Sequence, residues 1–305
     1  MIPVSTAELE RLLTLAETRS RRELLRAVIR IRRGFPLAQM ERAILARNLQ
    51  EAMDLIGFEP LANALAETRV LTDQVRAAGW FDGLRGLPPI LLRQPLLQLS
   101  LGAYAQANPY VVEAMTRQNL QRITAVLDET REAIRQALQR GIATGQHPRE
   151  VARRLRAVVG LNVRQAAAVE SFEARLVAQG RDPAQVARMA GRYANRQLKV
   201  RTETVARTEV MTALHAGKRA QWDRAVREGV IQASEWDTEF VTANDERVCP
   251  QCGPLDGTRA PIGQTPLGQE PPLHPRCRCL RRAVLRGFRE GEPTSPVRQA
   301  ILGRR

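Results

Sequence analysis

Every thiol of this chain falls in one short window: Cys249, Cys252, Cys277 and Cys279 are its only cysteines in 305 residues. His274, one of three histidines, lies in the same window, within "PPLHPRCRC" at 271–279. Five donors this close in sequence constrain the local fold more than any apolar pattern, because they must converge on something or pair with one another. Cys249 and Cys252 have the C-x-x-C spacing that sets two thiolates on one side of a tetrahedral ion. The remaining donors return across the Gly- and Pro-rich stretch "GPLDGTRAPIGQTPLGQEPPL". In an extended segment Cys277 and Cys279 face opposite ways, so His274 with one of them completes a set of four and the other is spare. The expectation is one structural zinc ion held by four of Cys249, Cys252, His274, Cys277 and Cys279; free thiols and a disulfide are the alternatives. A β-containing module of about 50 residues buries too little apolar surface to stand alone, and a metal clip closing its loop compensates.

A catalytic metal is disfavoured, because such sites keep an open position and place a general base nearby. The zinc nucleobase deaminases combine H-x-E with P-C-x-x-C. None of His147, His215 and His274 is followed by x-Glu, and Val248 precedes Cys249. No phosphate-binding G-x-x-x-x-G-K-[ST] loop and no G-x-S-x-G elbow occurs. Asp245 and Asp256 flank the thiols and read as loop acids that cap turns or face water. His147, before Pro148, and His215, within a helix, read as ordinary polar contacts. The chain is therefore expected not to be an enzyme, with no catalytic residue assigned.

Upstream the dominant signal is helical, which makes the expected fold class mainly α: a helical body with a small C-terminal α+β zinc-binding module. Ser5 and Glu8 have capping-box spacing ahead of Leu9, Leu12 and Leu13. A second apolar pattern through Leu24, Leu25 and Val28 ends at Gly34, and a third through Met40, Ile44, Leu49 and Met53 ends at Gly57. Residues 80–108 are rich in Gly, Pro and aromatic side chains and read as an irregular boundary. Asn108 and Pro109 open a long helix that runs to Gly141. Short helices then follow at His147–Gly160, from Asn162, from Asp182 and Pro183, and finally over 202–228. In "ASEWDTEFV" the period changes to two, and a strand is predicted. The expected division is 1–107 N-terminal helical region, 108–229 helical body, 230–282 zinc module and 283–305 basic, flexible tail.

Net charge is +15, and 45 of the 47 basic residues are arginine, Lys199 and Lys218 being the exceptions. A high-GC genome or a hot habitat is the plain reading of Arg over Lys, but neither accounts for the sign, which points to a polyanion or an acidic protein surface as a neighbour. Residues 276–305 carry nine arginines against Glu290 and Glu292. Arg281, Arg282, Arg286, Arg289, Arg298, Arg304 and Arg305 are accordingly the expected contacts to DNA, made to phosphates without reading sequence. No apolar run reaches the roughly 20 residues of a membrane span, and the N-terminus lacks the basic and apolar regions of a secretory signal. Reduced thiols in a cytoplasm are thus expected.

"VARTEV" on a helix, then "WDTEFVTANDERVCPQCGPLDG", then "PPLHPRCRC" together resemble the head-morphogenesis domain of tailed-phage minor head proteins, the family named after the F protein of phage Mu. The resemblance covers roughly residues 150 to 282. It implies a virion protein assembled in the host cytoplasm and held inside the capsid near the portal vertex. Its implied partners are the portal protein, capsid or scaffold proteins and DNA, and its implied role is in head assembly and DNA packaging or delivery. No catalytic residues are established for the family, and its Cys and His positions are presumed metal ligands. The competing reading is a zinc-ribbon-containing, non-specific DNA-binding protein of cellular type.

Overall fold

The computed structural model describes residues 6–83, 109–266 and 268–286, and over 109–123 it describes the backbone alone. It is mainly helical, with a small antiparallel sheet near its C-terminal end. The described helices are α1 (Thr6–Arg33), α2 (Leu37–Leu45), α3 (Leu49–Asp54), α4 (Glu59–Gly83), α5 (Pro109–Ala143), α6 (Pro148–Val158), α7 (Val163–Ala178) and α8 (Pro183–Arg227). Strands β1 (Trp236–Val241), β2 (Arg259–Pro261) and β3 (Leu280–Leu285) follow. None of these helices is long and apolar enough to cross a membrane.

Three expectations about helix boundaries are corrected. The two apolar patterns before Gly34 form one helix, α1, because no glycine or proline interrupts them. The Met40–Met53 pattern breaks into α2 and α3, since Arg47 turns left-handed at φ 54 and Asn48 caps α3 by accepting from the Glu51 N–H. The helices expected from Pro183 and from residue 202 are a single 45-residue helix, so the helical body is not built of short segments throughout. Thr202, where the last helix was expected to begin, is buried and turns its hydroxyl back to the Leu198 and Lys199 carbonyls, which leaves the helix intact. Of the predicted irregular stretch 80–108, residues 80–83 complete α4, and the rest lies outside the described residues.

The chain divides into two compact units, each assembled from separated segments. Unit 2 comprises Thr18–Arg69 and Met115–Thr204. Its core joins Val28 and Ile31 of α1, Met40 and Ile44 of α2, Ile134 and Leu138 of α5, Val151 and Leu155 of α6, and Leu198 of α8. Asn162 and Gln165 form a full capping box at the start of α7, as the sequence suggested. Arg32 donates to the Val159 carbonyl and to Asn195 Oδ1, tying the end of α1 to α8.

Unit 1 comprises Met1–Glu17, Val70–Ala114 and Val205–Arg305. Here α4 and α8 cross with almost no side chain between them. A Cβ on Gly79 would overlap the Leu214 carbonyl oxygen, and one on Gly217 would overlap that of Arg76. The two glycines allow that approach, and Leu9, Ala16, Val75, Val210 and Leu214 fill the space beside it. The sheet has the order β2-β1-β3, with β1 central. Trp236 packs with Trp222, Ile231, Ile262 and Ala283, so one end of β1 is fixed on the last turns of α8. The predicted alternation is present in chemistry but not in burial: Asp237 and Glu239 are buried along with Trp236, Thr238 and Phe240. Their charges are met across the sheet. Glu239 lies opposite Arg282 and accepts from it at 2.9 Å, and Asp237 accepts from Arg286 at 2.7 Å.

Candidate metal centre

Two turns of the same construction face each other at the far end of β1. In Cys249-Pro250-Gln251-Cys252 the Cys252 N–H donates to the Cys249 carbonyl at 3.1 Å. In His274-Pro275-Arg276-Cys277 the Cys277 N–H donates to the His274 carbonyl, also at 3.1 Å. Each therefore presents its first and fourth side chains on one side of a tight loop. Arg276 holds a left-handed φ of 64 to close the second.

The donor atoms converge. His274 Nε2 lies 3.0 Å from Cys249 Sγ and 3.2 Å from Cys252 Sγ, and Cys252 Sγ lies 3.9 Å from Cys277 Sγ. Cys249, Cys252 and His274 form one cluster and Cys252, Cys277 and Cys279 another, each with donors within 4.8 Å of one another. Cys252 belongs to both. Thiolates about 2.3 Å from a tetrahedral zinc stand roughly 3.8 Å apart, close to the Cys252–Cys277 separation. All five residues expected from the sequence are thus brought together, and three thiols with one imidazole are a donor set suited to zinc.

The imidazole is oriented for this use. His274 Nδ1 is 2.9 Å from the Pro275 carbonyl, a contact that fixes the proton on Nδ1 and leaves the Nε2 lone pair toward the thiols. Burial acts to raise the Cys249 thiol, yet hydrogen bonds, chiefly from the Cys252 backbone and thiol, hold it below the ordinary value. Burial, then the hydrogen bond with Cys249, raises the Cys252 thiol, and burial pushes Cys279 up to about 11. Buried thiols of this kind resist ionising until a cation draws them. Beneath them Phe240 is fully buried against Cys252, Cys277 and Cys279, with Val248, Leu255 and Leu273 around it.

Residues that the sequence reading placed elsewhere hold this site in position. On α8, Thr208 Oγ1 accepts from the Arg276 backbone N–H at 3.2 Å, and His215 Nε2 lies 3.1 Å from the Cys279 carbonyl. Positions seven apart in a helix share a face and are about 10.5 Å apart along the axis. The segment from Arg276 to Cys279 meets that face at both points. Burial, then the charge of Lys218, lowers the His215 pKa to about 3, which makes it a neutral donor to that carbonyl. The 208/215 spacing was present in the sequence as a signal, but nothing there named the partner. Arg278 clamps Asp245 through two bonds of 2.6 and 2.5 Å and, with the Arg247 N–H, keeps that carboxyl well below its usual range. Asp256 accepts from the Thr242 N–H and hydroxyl. Asp245 thus closes a local turn and also ties it to Arg278, whereas Asp256, expected to cap a turn or face water, instead fastens its loop to Thr242 just past β1.

The basic residues expected to meet DNA divide into two groups. Arg281 is fully buried, donates to Thr238 and to the Gln269 carbonyl, and lies over the Phe240 ring. Arg282 and Arg286 take part in the carboxylate pairs of β1 described above. These three are held by protein groups, and β3 carries regular structure past the expected 282/283 boundary to Leu285. Arg289, Arg298, Arg304 and Arg305 lie outside the described residues. His147 Nδ1 caps α6 by accepting from the Arg149 N–H.

The model of the family described as Phage Mu protein F like protein matches residues 132–282, a span that starts within α5, upstream of the resemblance read near 150, and ends in β3. Comparison with curated proteins and with solved structures gave no match.

Proposed function

We propose, from the membership of residues 132–282 in the Phage Mu protein F like family, that this phage head-morphogenesis protein is a minor structural component of the virion. It associates with the portal inside the capsid and assists capsid assembly and DNA packaging or delivery. The observation that carries this reading is that the family match takes in the long helix α8, the sheet docked on its last turns, and the knuckle of metal donors pinned to that helix by Thr208 and His215. Such an arrangement fits a rigid adaptor that docks on other proteins. In it zinc is structural, one ion per chain, held by Cys249, Cys252, His274 and Cys277. The choice of Cys277 over Cys279 rests on the repeated ligand-Pro-x-Cys turn. The arginines beyond residue 286 contact DNA non-specifically. Co-expression with the portal protein of the same phage tests the central claim: the two are expected to co-purify and to enter procapsids together. Absence of the protein from purified particles would overturn it.

A further inference from the structure

The charge of the chain is concentrated in one unit. Unit 2 holds 27 basic and 14 acidic residues, and unit 1 holds 20 and 18, so unit 2 accounts for +13 of the net +15. Within unit 2 the excess lies along one helix. Between Pro183 and Thr202 α8 contains no acidic residue. Arg188, Arg192, Arg196 and Lys199 recur there at four, four and three residues, the spacing of one helical face, and all four are exposed. Among the described residues no hydrogen bond or ion pair engages their side chains. The nearest acids in sequence are occupied: Asp182 caps α8 by accepting from the Gln185 N–H, and Glu203 has a partner of its own.

A second helix extends this face. Arg32 of α1 bonds Asn195 of α8, and a Cβ on Gly160 would touch both Val28 and Leu198, so α1 runs antiparallel to α8 with its last turns beside residues 195–198. Arg30 and Arg33 are exposed on those turns, and their side chains also lack a protein partner among the described residues. Arg32, between the two faces, is partly buried and bonds Val159 and Asn195, so it is held by the protein and not counted in the surface.

We infer that Arg188, Arg192, Arg196 and Lys199, extended by Arg30 and Arg33, form a binding surface for the phosphate backbone of duplex DNA. A helix face that serves only solubility mixes its signs, as α5 does with its Asp128–Arg131 and Glu132–Arg135 pairs. The α8 face does not. From Arg188 to Lys199 it covers about 16 Å, over which duplex DNA presents on the order of ten phosphate charges. Arginine forks suit phosphate oxygens, and no aromatic side chain on this face stands ready to stack on bases, so the surface fits backbone contact without sequence readout. The inference rests on the head-morphogenesis reading for the identity of the polyanion, packaged DNA.

The test uses the full-length protein and two unrelated labelled duplexes of about 24 base pairs, titrated from 50 to 200 mM salt. The variant R188Q/R192Q/R196Q/K199Q is expected to keep its helical circular dichroism, to bind at least about tenfold more weakly at 100 mM, and to lose 3 to 4 units of the salt slope, because each phosphate contact contributes about 0.9. Removing residues 287–305 is expected to weaken binding less than the quadruple substitution does. A quadruple variant that binds like the parent, or a parent that fails to bind duplex at 50 mM, would overturn the inference. So would a parent that prefers polyglutamate to DNA, since the surface would then serve an acidic protein. The two readings fail separately: absence from particles sinks the virion role while leaving DNA binding by the purified protein in place.

Discussion

Arg281 and Arg192 carry the same guanidinium into different surroundings. Around β3 the side chain of Arg281 is enclosed by Thr238, Gln269 and the Phe240 ring, and its neighbours Arg282 and Arg286 are met by Glu239 and Asp237. Along α8 the side chain of Arg192 stands in solvent with no carboxylate in reach among the described residues. The supply of acceptors decides between the two outcomes. An antiparallel sheet places residues of its strands directly opposite one another, so a carboxylate on β1 finds an arginine on β3. The face of α8 offers no such register, and its sequence supplies no acid over the relevant turns. Basic density in a sequence is therefore a poor guide to which arginines are available to a partner.

The comparison breaks most severely at the metal centre. Cys252→Ser removes the donor shared by both clusters, and structural zinc in small modules contributes on the order of 10 kcal/mol. Zinc is expected to fall from one per chain to none by atomic emission, with loss of the near-ultraviolet dichroism of Trp236 and retention of most helical signal. Retention of stoichiometric zinc would remove the clip from the account of this fold. Cys277→Ser and Cys279→Ser separate the ligand from the spare, because only the ligand's loss releases metal.

Arg281→Met comes next. The substitution keeps an apolar stem but strands the acceptors on Thr238 and Gln269 and leaves Glu270, 4.0 Å from the guanidinium, without its counter-charge. Loss of a buried, hydrogen-bonded charge costs about 3 kcal/mol. A lower urea midpoint for tryptophan fluorescence checks this. An unchanged midpoint would mean that Arg281 is no more structural than Arg192.

The contrast also shows what was legible in the sequence. C-x-x-C and H-P-x-C are local turns whose chemistry is complete within four residues, so all five donors could be named before their geometry was known. The strand at 236–241 was readable because alternation is local. The burial of Arg281 was not, since it depends on Thr238, 43 residues away, and on a sheet register that no single strand specifies. The continuity of α8 was missed for a related reason: a helix start was expected at residue 202, whereas Thr202 is buried with its hydroxyl bonded back to the Leu198 carbonyl inside the helix. The α8 stripe was visible as spacing, yet its lack of partners emerges only when every neighbouring carboxylate has been placed.

A third, smaller effect is expected on the helix that holds the knuckle. His215→Leu removes one hydrogen bond to the Cys279 carbonyl and leaves that acceptor buried, at about 1 to 2 kcal/mol. Zinc should remain bound but leave faster, by about tenfold, because His215 anchors to α8 the segment that directly follows the Cys277 ligand. Release to a chromogenic chelator measures this, and a parental rate would mean that α8 supports the sheet without influencing the knuckle.

Arg192→Gln sharpens the comparison with the smallest effect on stability. Its side chain is exposed and engages no acceptor, so the change should move the unfolding midpoint by no more than about 0.5 kcal/mol in either direction. Its effect on binding should be separable from that: one phosphate contact fewer flattens the salt slope by about 0.9 and weakens duplex binding equally for unrelated sequences. Arg281→Met is expected to show the reverse, a lower stability with an unchanged slope at temperatures where the protein stays folded. A large stability loss for Arg192→Gln, or a flattened slope for Arg281→Met, would contradict the assignment of one arginine to DNA and the other to the fold. If both hold, the two substitutions divide the arginines of this chain by function, and Arg188, Arg196 and Lys199 should then follow Arg192 with slope losses that add, because side chains four residues apart on an exposed face share no acceptor and perturb one another little.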